Sequence, residues 1–186
     1  MSCSILFLCH ANLCRSPTAE VMLTRTLATE GVAATVTSAG LTVTADQVAP
    51  ENFRELALAR GIDLRDRKQV RYTPDLAEDA DLVLAMTRDL LRAVVVETPS
   101  LWPKSFTLLE LVRRGESSEP PRPGDTLGTW IERVHQSRER SELLGTDPID
   151  DLRDPMADTL EMNEEMFGQL ERATSQLARL LTLLSG

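Results

Sequence analysis

The sequence is poor in aromatic residues, in lysine, and in cysteine beyond its first fourteen positions. Phe, Trp and Tyr make up 4% of the 186 residues, with one tyrosine, Tyr72, and two tryptophans, Trp102 and Trp130. A surface for stacking rings or nucleobases is therefore poorly supplied. Positive charge is also short: 20 Lys plus Arg face 29 Asp plus Glu, a formal net charge of −9. Such a balance excludes a bulk nucleic-acid or anionic-membrane binder, which needs clustered positive charge. The lysines are Lys68 and Lys104, a composition bias with no functional weight.

Long apolar runs are missing as well. None approaches the roughly 20 residues of a membrane span. No basic segment precedes an apolar one, and Ile5 to Leu8 is too short for a signal-peptide core, so the expected location is the cytoplasm. The three cysteines are Cys3, Cys9 and Cys14. An odd, clustered set is not a secreted disulfide framework and suits reduced thiols. Two histidines, His10 and His135, and a Cys-x4-Cys spacing make no metal site. Neither glycine-rich nucleotide fingerprint follows the first strand, so no cofactor is expected.

What is present is one domain's worth of chain, 42% apolar and 26% charged, enough for a core of its own. Short apolar runs at Ser4 to Leu8, Thr35 to Ser38, Asp81 to Ala85 and Ser105 to Thr107 predict strands. Helical patterns lie between them. Ser16-Pro17-Thr18-Ala19-Glu20 places a capping Ser and a first-turn Pro at the start of a helix ending at Gly31. Helices are also predicted over Pro50 to Arg60, Thr87 to Val96 and Leu108 to Arg114. The Pro-rich stretch Gly115 to Gly128 predicts an exposed loop. A polar helix from Thr129 to Leu144 follows. A long amphipathic helix closes the chain, its apolar stripe running from Leu160 through Met166, Phe167, Leu170 and Leu177 to Leu184. Strand–helix alternation predicts an α/β fold, a four-stranded parallel sheet with helices on both faces. Ligands in such sheets bind beyond the carboxyl ends of the strands.

Cys9-His10-Ala11-Asn12-Leu13-Cys14-Arg15-Ser16 lies at such an end. A strand-to-helix loop aims backbone N–H groups inward and can cradle a tetrahedral anion. The same setting favours a thiolate at Cys9. Arg15 can hold two phosphoryl oxygens in fork geometry, and the Ser16 hydroxyl can donate to the sulfur. Asn12 tolerates a left-handed kink. The alternative is that Cys9 and Cys14 are inert buried thiols and Arg15 a solvated charge at a helix cap.

The run from Cys9 to Glu20 resembles the signature of the low-molecular-weight protein tyrosine phosphatases. Ser38-Ala39-Gly40, Ala80 to Met86, and Asp154-Pro155 ahead of the last helix resemble further segments of that family, in the same order. The resemblance implies a flavodoxin-like single domain over residues 1–186, with extra length at about 115–146. It implies a cysteine-dependent phosphatase acting through a phosphocysteine on Cys9, with Arg15 binding phosphate and Asp154 as general acid and base. His10, Ala11, Asn12, Leu13, Cys14 and Ser16 would form the phosphate loop, Ser38 would brace Asn12, and Cys14 would be a redox partner protecting Cys9. The substrate would be a phosphorylated protein or a small phosphoester.

Several features depart from the family. Met156 and Ala157 stand where aromatics usually follow Asp-Pro, and Leu41 to Asp46 has no aromatic. Ala11 occupies a position usually held by Gly, tolerable if its φ is negative. Asp147-Pro148 competes with Asp154-Pro155, which is preferred because it directly precedes the closing helix. Asp150 and Asp151 are expected as solvated loop acids. Trp130 either folds over the cleft or anchors a surface helix. Arsenate reduction with an external thiol and non-catalytic phospho-ligand binding are the rival functions; the first is weakened because no cysteine follows Cys14.

Overall fold

The computed structural model describes residues 3–45, 47–145, 148–155 and 159–184. Strands β1 (Cys3–Cys9), β2 (Ala34–Gly40), β3 (Leu82–Ala85) and β4 (Ser105–Thr107) form one parallel sheet in the order β2-β1-β3-β4. Helices α1 (Arg15–Thr29), α2 (Glu51–Ala59), α3 (Pro74–Glu78), α4 (Arg88–Glu97), α5 (Leu108–Ser117), α6 (Leu127–Gln136) and α7 (Leu160–Leu183) cover it. This is the α/β, parallel, doubly covered architecture that the alternation predicts. β1 is central, and the chain order reverses around it, which makes its carboxyl end the natural ligand site.

The period-2 pleat sorts β1 between two cores. Ile5, Phe7 and Cys9 join the larger one, with Leu23 and Leu27 of α1, Leu111 of α5 and the stripe of α7. Leu6 and Leu8 face the smaller one, with Tyr72, Ala77, Val94 and Leu101. An uninterrupted apolar run is what a strand buried on both faces requires. On α7, Met166, Phe167, Leu170, Ala173, Leu177 and Leu181 are buried at helical spacing, and the Phe167 ring lies 5.4 Å from that of Phe53. Leu160, at the head of the predicted stripe, is instead exposed.

Three expectations are corrected. First, α1 begins at Arg15, and Ser16 is no N-cap; its hydroxyl bonds the Cys9 sulfur, and Cys14 at the cap position offers no side-chain bond. Second, Gly115 does not open a loop. It lies inside α5, where an added Cβ would sit 2.8 Å from Leu180 Cδ1 and 2.8 Å from Trp130 Cζ2. Third, the helix predicted from Thr129 to Leu144 runs from Leu127 to Gln136. Arg138 then turns into the core, its guanidinium 3.6 Å from the Trp102 ring centre and 4.1 Å from that of Phe106. Its Nε donates to Glu110 Oε1 at 2.8 Å, so a buried ion pair ends the helical run. Trp130 is fully buried, its indole N–H on Glu119 O at 2.7 Å, and it stands against α5 away from the β1 loop.

Candidate active site

β1 delivers Cys9 to the sheet edge, and the chain wraps around its sulfur before α1 starts. Cys9 Sγ accepts from the Asn12 backbone N–H at 3.2 Å and from the Ser16 hydroxyl at 2.9 Å. That wrap needs a left-handed residue, which is Asn12 at φ 55°. Among the described residues no other non-glycine position has positive φ, so Ala11 carries its Cβ without strain. The Asn12 side chain is buried, and it holds the loop at three points. Its Nδ2 donates to Ser38 Oγ at 2.8 Å and Ser16 Oγ at 3.0 Å, and its Oδ1 accepts from Val70 N at 2.8 Å. Three well-directed bonds on one buried amide make this a rigid element.

Gly40 lets β2 approach the loop. A Cβ there would lie 2.7 Å from Ala11 C and 2.7 Å from Asn12 N. The next residues clasp the loop from outside: Leu41 N donates to Cys9 O at 3.1 Å and Thr42 N to His10 O at 2.8 Å. His10 itself is exposed at the mouth. From behind, Gln69 Nε2 donates to Ala11 O at 2.9 Å. Arg67 donates to Ser38 Oγ at 3.3 Å and pairs with Glu20. Arg67, Gln69 and Val70 were not singled out in the sequence. They lie in an extended stretch without periodicity, whose one local sign is Gly40, the residue it bridges.

Above the sulfur lies a cavity of about 90 Å³, lined by Leu13, Cys14, Arg15, Gln47 and Asp154 as well as Cys9 to Ala11. Arg15 is buried. Its Nη1 donates to Leu152 O at 2.9 Å, and its Nη2 meets Asp154 Oδ2 at 2.7 Å. The Asp154 side chain is 46% exposed, so this ion pair is open to solvent on the acid's side. Cys14 is buried, and burial pushes its thiol well above the ordinary range, aided by the negative charges of Cys9 and Asp154. All three cysteines are free thiols.

The loop that presents Asp154 is fixed at its base. Asp150 is buried, not solvated, because Arg113 grips it through Nε at 3.0 Å and Nη2 at 2.8 Å, with Arg88 Nη2 at 3.3 Å. Asp151 accepts from the Arg88 amide at 2.6 Å, and Leu152 N donates to Met86 O at 2.8 Å beyond β3. Asp147, the competing acid, and Met156 and Ala157 lie outside the described residues.

A parallel sheet whose central strand ends in a sulfur cupped by amide and hydroxyl donors, beside a buried guanidinium, defines a phosphoryl-handling α/β enzyme. The chain belongs to the low molecular weight phosphotyrosine protein phosphatase family, whose model matches residues 4–126. It is 32% identical to the probable low molecular weight protein-tyrosine-phosphatase AmsI of Erwinia amylovora over 63% of this chain and 78% of that protein. It is 32% identical to the protein-arginine-phosphatase of Bacillus subtilis over 75% of this chain and 90% of that one. Among solved structures, a low molecular weight protein tyrosine phosphatase from Bacillus subtilis superposes with a TM-score of 0.68 at 26% identity, covering 96% of each chain. The chain is thus a hydrolytic phosphatase by family, and arsenate reduction and inert binding are not favoured.

Proposed function

We infer that this chain is a protein phosphatase that hydrolyses phosphotyrosine through a phosphocysteine on Cys9. The observation that carries this is the pair of donors on Cys9 Sγ at the floor of a cavity walled by the Arg15 guanidinium. The phosphoryl group enters with its oxygens on the amides of residues 10–15 and on Arg15, which must release Asp154 to take it. The Cys9 thiolate attacks phosphorus, the bond to the ester oxygen breaks, and Asp154 gives that oxygen its proton. Asp154 then takes a proton from water, the water oxygen bonds to phosphorus, and the P–S bond breaks to release inorganic phosphate. Asn12, Ser16 and Ser38 hold the loop so that the amides need not reorganise.

Leu13 gives the cavity an apolar wall suited to an aryl ring. A phosphorylated guanidine, the substrate class in the name of the Bacillus relative, would want a free carboxylate at that wall. Asp154 is the carboxylate among the described lining residues, and its acid–base role leaves that wall no second one to pair with a guanidinium. Residues 1–186 act as a single domain, the extra length at about 115–146 being joined to the shared core through Trp130 and Arg138 in its described part. Cys14, a neutral buried thiol in the same loop, can condense with a peroxide-formed Cys9 sulfenic acid, releasing water and sparing the sulfur further oxidation. The setting is cytoplasmic; nucleic acid and membrane are not partners.

The test is pre-steady-state hydrolysis of 4-nitrophenyl phosphate. A burst of nitrophenol stoichiometric with enzyme is expected, absent in Cys9→Ser while phosphate still binds. Turnover that survives Cys9→Ser would end the proposal, as would a chain that hydrolyses phosphoarginine peptides but no aryl phosphate.

A further inference from the structure

The Cys9 cavity opens sideways into a larger hollow of about 540 Å³, and the two share His10, Arg15 and Asp154. One wall is α4, through Leu90 and Ala93. The other is Leu41 and Thr42, the two residues that follow β2. The loop carrying Asp151 and Arg153 completes the lining. Apart from those three shared residues, nothing in the chemistry derived above uses this groove.

Several of its polar groups are already engaged, while Arg153 stands exposed on the loop side. Thr42 Oγ1 donates to His10 O at 3.2 Å. Thr87 Oγ1 accepts from Leu90 N as the cap of α4. The Asp151 carboxylate accepts from the Arg88 amide. Between these groups runs an apolar strip from Leu41 to Leu90 and Ala93, with the exposed carboxylate of Asp89 at its margin, 3.1 Å from Arg92. Such a strip recognises an aliphatic side chain, not a second phosphate or a sugar. Asp89 on one margin and Arg153 on the loop side balance in charge, so selection rests on the apolar strip.

Because the groove is continuous with the reaction cavity, its occupant is part of the substrate itself. We propose that the groove bordered by Leu41, Leu90 and Ala93 seats an aliphatic residue flanking the phosphorylated residue of a protein substrate. This rests on the phosphatase reading of Cys9 and narrows it from phosphotyrosyl proteins in general to those with an apolar residue beside the phosphotyrosine. A small aryl phosphate fills only the inner cavity and leaves the strip wet. Covering it with a leucine side chain adds roughly tenfold to kcat/KM, the scale at which hydrophobic pockets discriminate.

The experiment measures kcat/KM for matched phosphotyrosyl heptapeptides with Leu, Gly or Asp at both flanking positions, beside 4-nitrophenyl phosphate. In the unaltered protein Leu exceeds Gly by about tenfold and exceeds Asp as well. Ala93→Trp fills the groove and brings the Leu-to-Gly ratio close to one. Ala93→Lys raises the Asp-to-Leu ratio. Each ratio is internal to one variant, so altered folding or expression cannot mimic it. Equal rates for Leu and Gly peptides, or a Leu preference that survives Ala93→Trp, overturn the groove while leaving the Cys9 chemistry standing. If 4-nitrophenyl phosphate and every peptide stay intact, both proposals fall together.

Discussion

The loop from Cys9 to Ser16 and the loop from Pro148 to Pro155 meet at Arg15, yet they are secured differently. The first is tied along its whole length. Asn12 alone spans Ser16, Ser38 and Val70, and the sulfur has two donors before any ligand arrives. The second is tied only at its root, by Asp150 on Arg113 and Arg88 and by Leu152 on Met86. Its tip, Asp154, is half exposed and rests on the guanidinium that a phosphate must occupy. Binding an anion therefore needs no rearrangement of the cradle but does need the acid to step aside. In the proposed mechanism, electrostatic stabilisation is preorganised and proton transfer is recruited.

The strongest way to break this contrast is at Arg15. Arg15→Lys removes the fork that reaches Leu152 O and Asp154 together and should lower kcat/KM by about 10³-fold on aryl phosphate. A loss below tenfold would show that the guanidinium is not the anion ligand. Asp154→Asn should lower kcat by about 10²-fold and remove the limb of the pH–rate profile that belongs to the acid. The same change should tighten competitive inhibition by phosphate, because an amide no longer competes with the anion for Arg15. If kcat falls and the phosphate inhibition constant rises, the two groups do not exchange in this way.

At the root of the loop, Asp150→Asn leaves Arg113 and Arg88 without their shared carboxylate. The expected outcome is a loss of about 2 kcal/mol in denaturant unfolding, reduced from the buried-pair value because Arg113 reaches solvent. A kcat decrease of roughly tenfold should accompany it, with KM nearly constant. A changed KM with unchanged kcat would mean that the root positions substrate and not the acid. The smallest effect concerns thiol selectivity. Burial raises the Cys14 and Cys3 pKa values above the ordinary thiol value, so both stay protonated from neutral pH to well above it. Alkylation at pH 7.5, followed by peptide mass spectrometry, should mark Cys9 first, and phosphate should protect it. Preferential labelling of Cys14 would reverse the assignment of nucleophile and partner.

The rigid loop was legible in the sequence because everything that defines it is local. A buried strand, a Cys-x5-Arg spacing and a Ser-Pro helix start follow one another within a dozen residues. β1 and β3 were legible for a related reason, since burial on both faces leaves no polar alternation to confuse. Asp154 could be picked out by the Pro after it and the helix beyond it. The supports could not. Arg67 and Gln69 act through contacts with residues far away in sequence, and an extended polar stretch looks the same whether or not it lies behind an active site. Asp150 read as a solvated acid because Arg113 and Arg88, its partners, belong to other helices. Gly115 read as a break because its reason for being glycine is the indole of Trp130, fifteen positions on. Ser16 read as a cap because a hydroxyl at a helix start usually serves one, and here a sulfur had the prior claim.

Arg15 takes the Leu152 carbonyl and the Asp154 carboxylate across separations of 137 and 139 residues. The guanidinium at the floor of the chain's first loop is therefore oriented from its distal part. A lesion near residue 152 would misdirect Arg15 without touching any residue from Cys9 to Ser16.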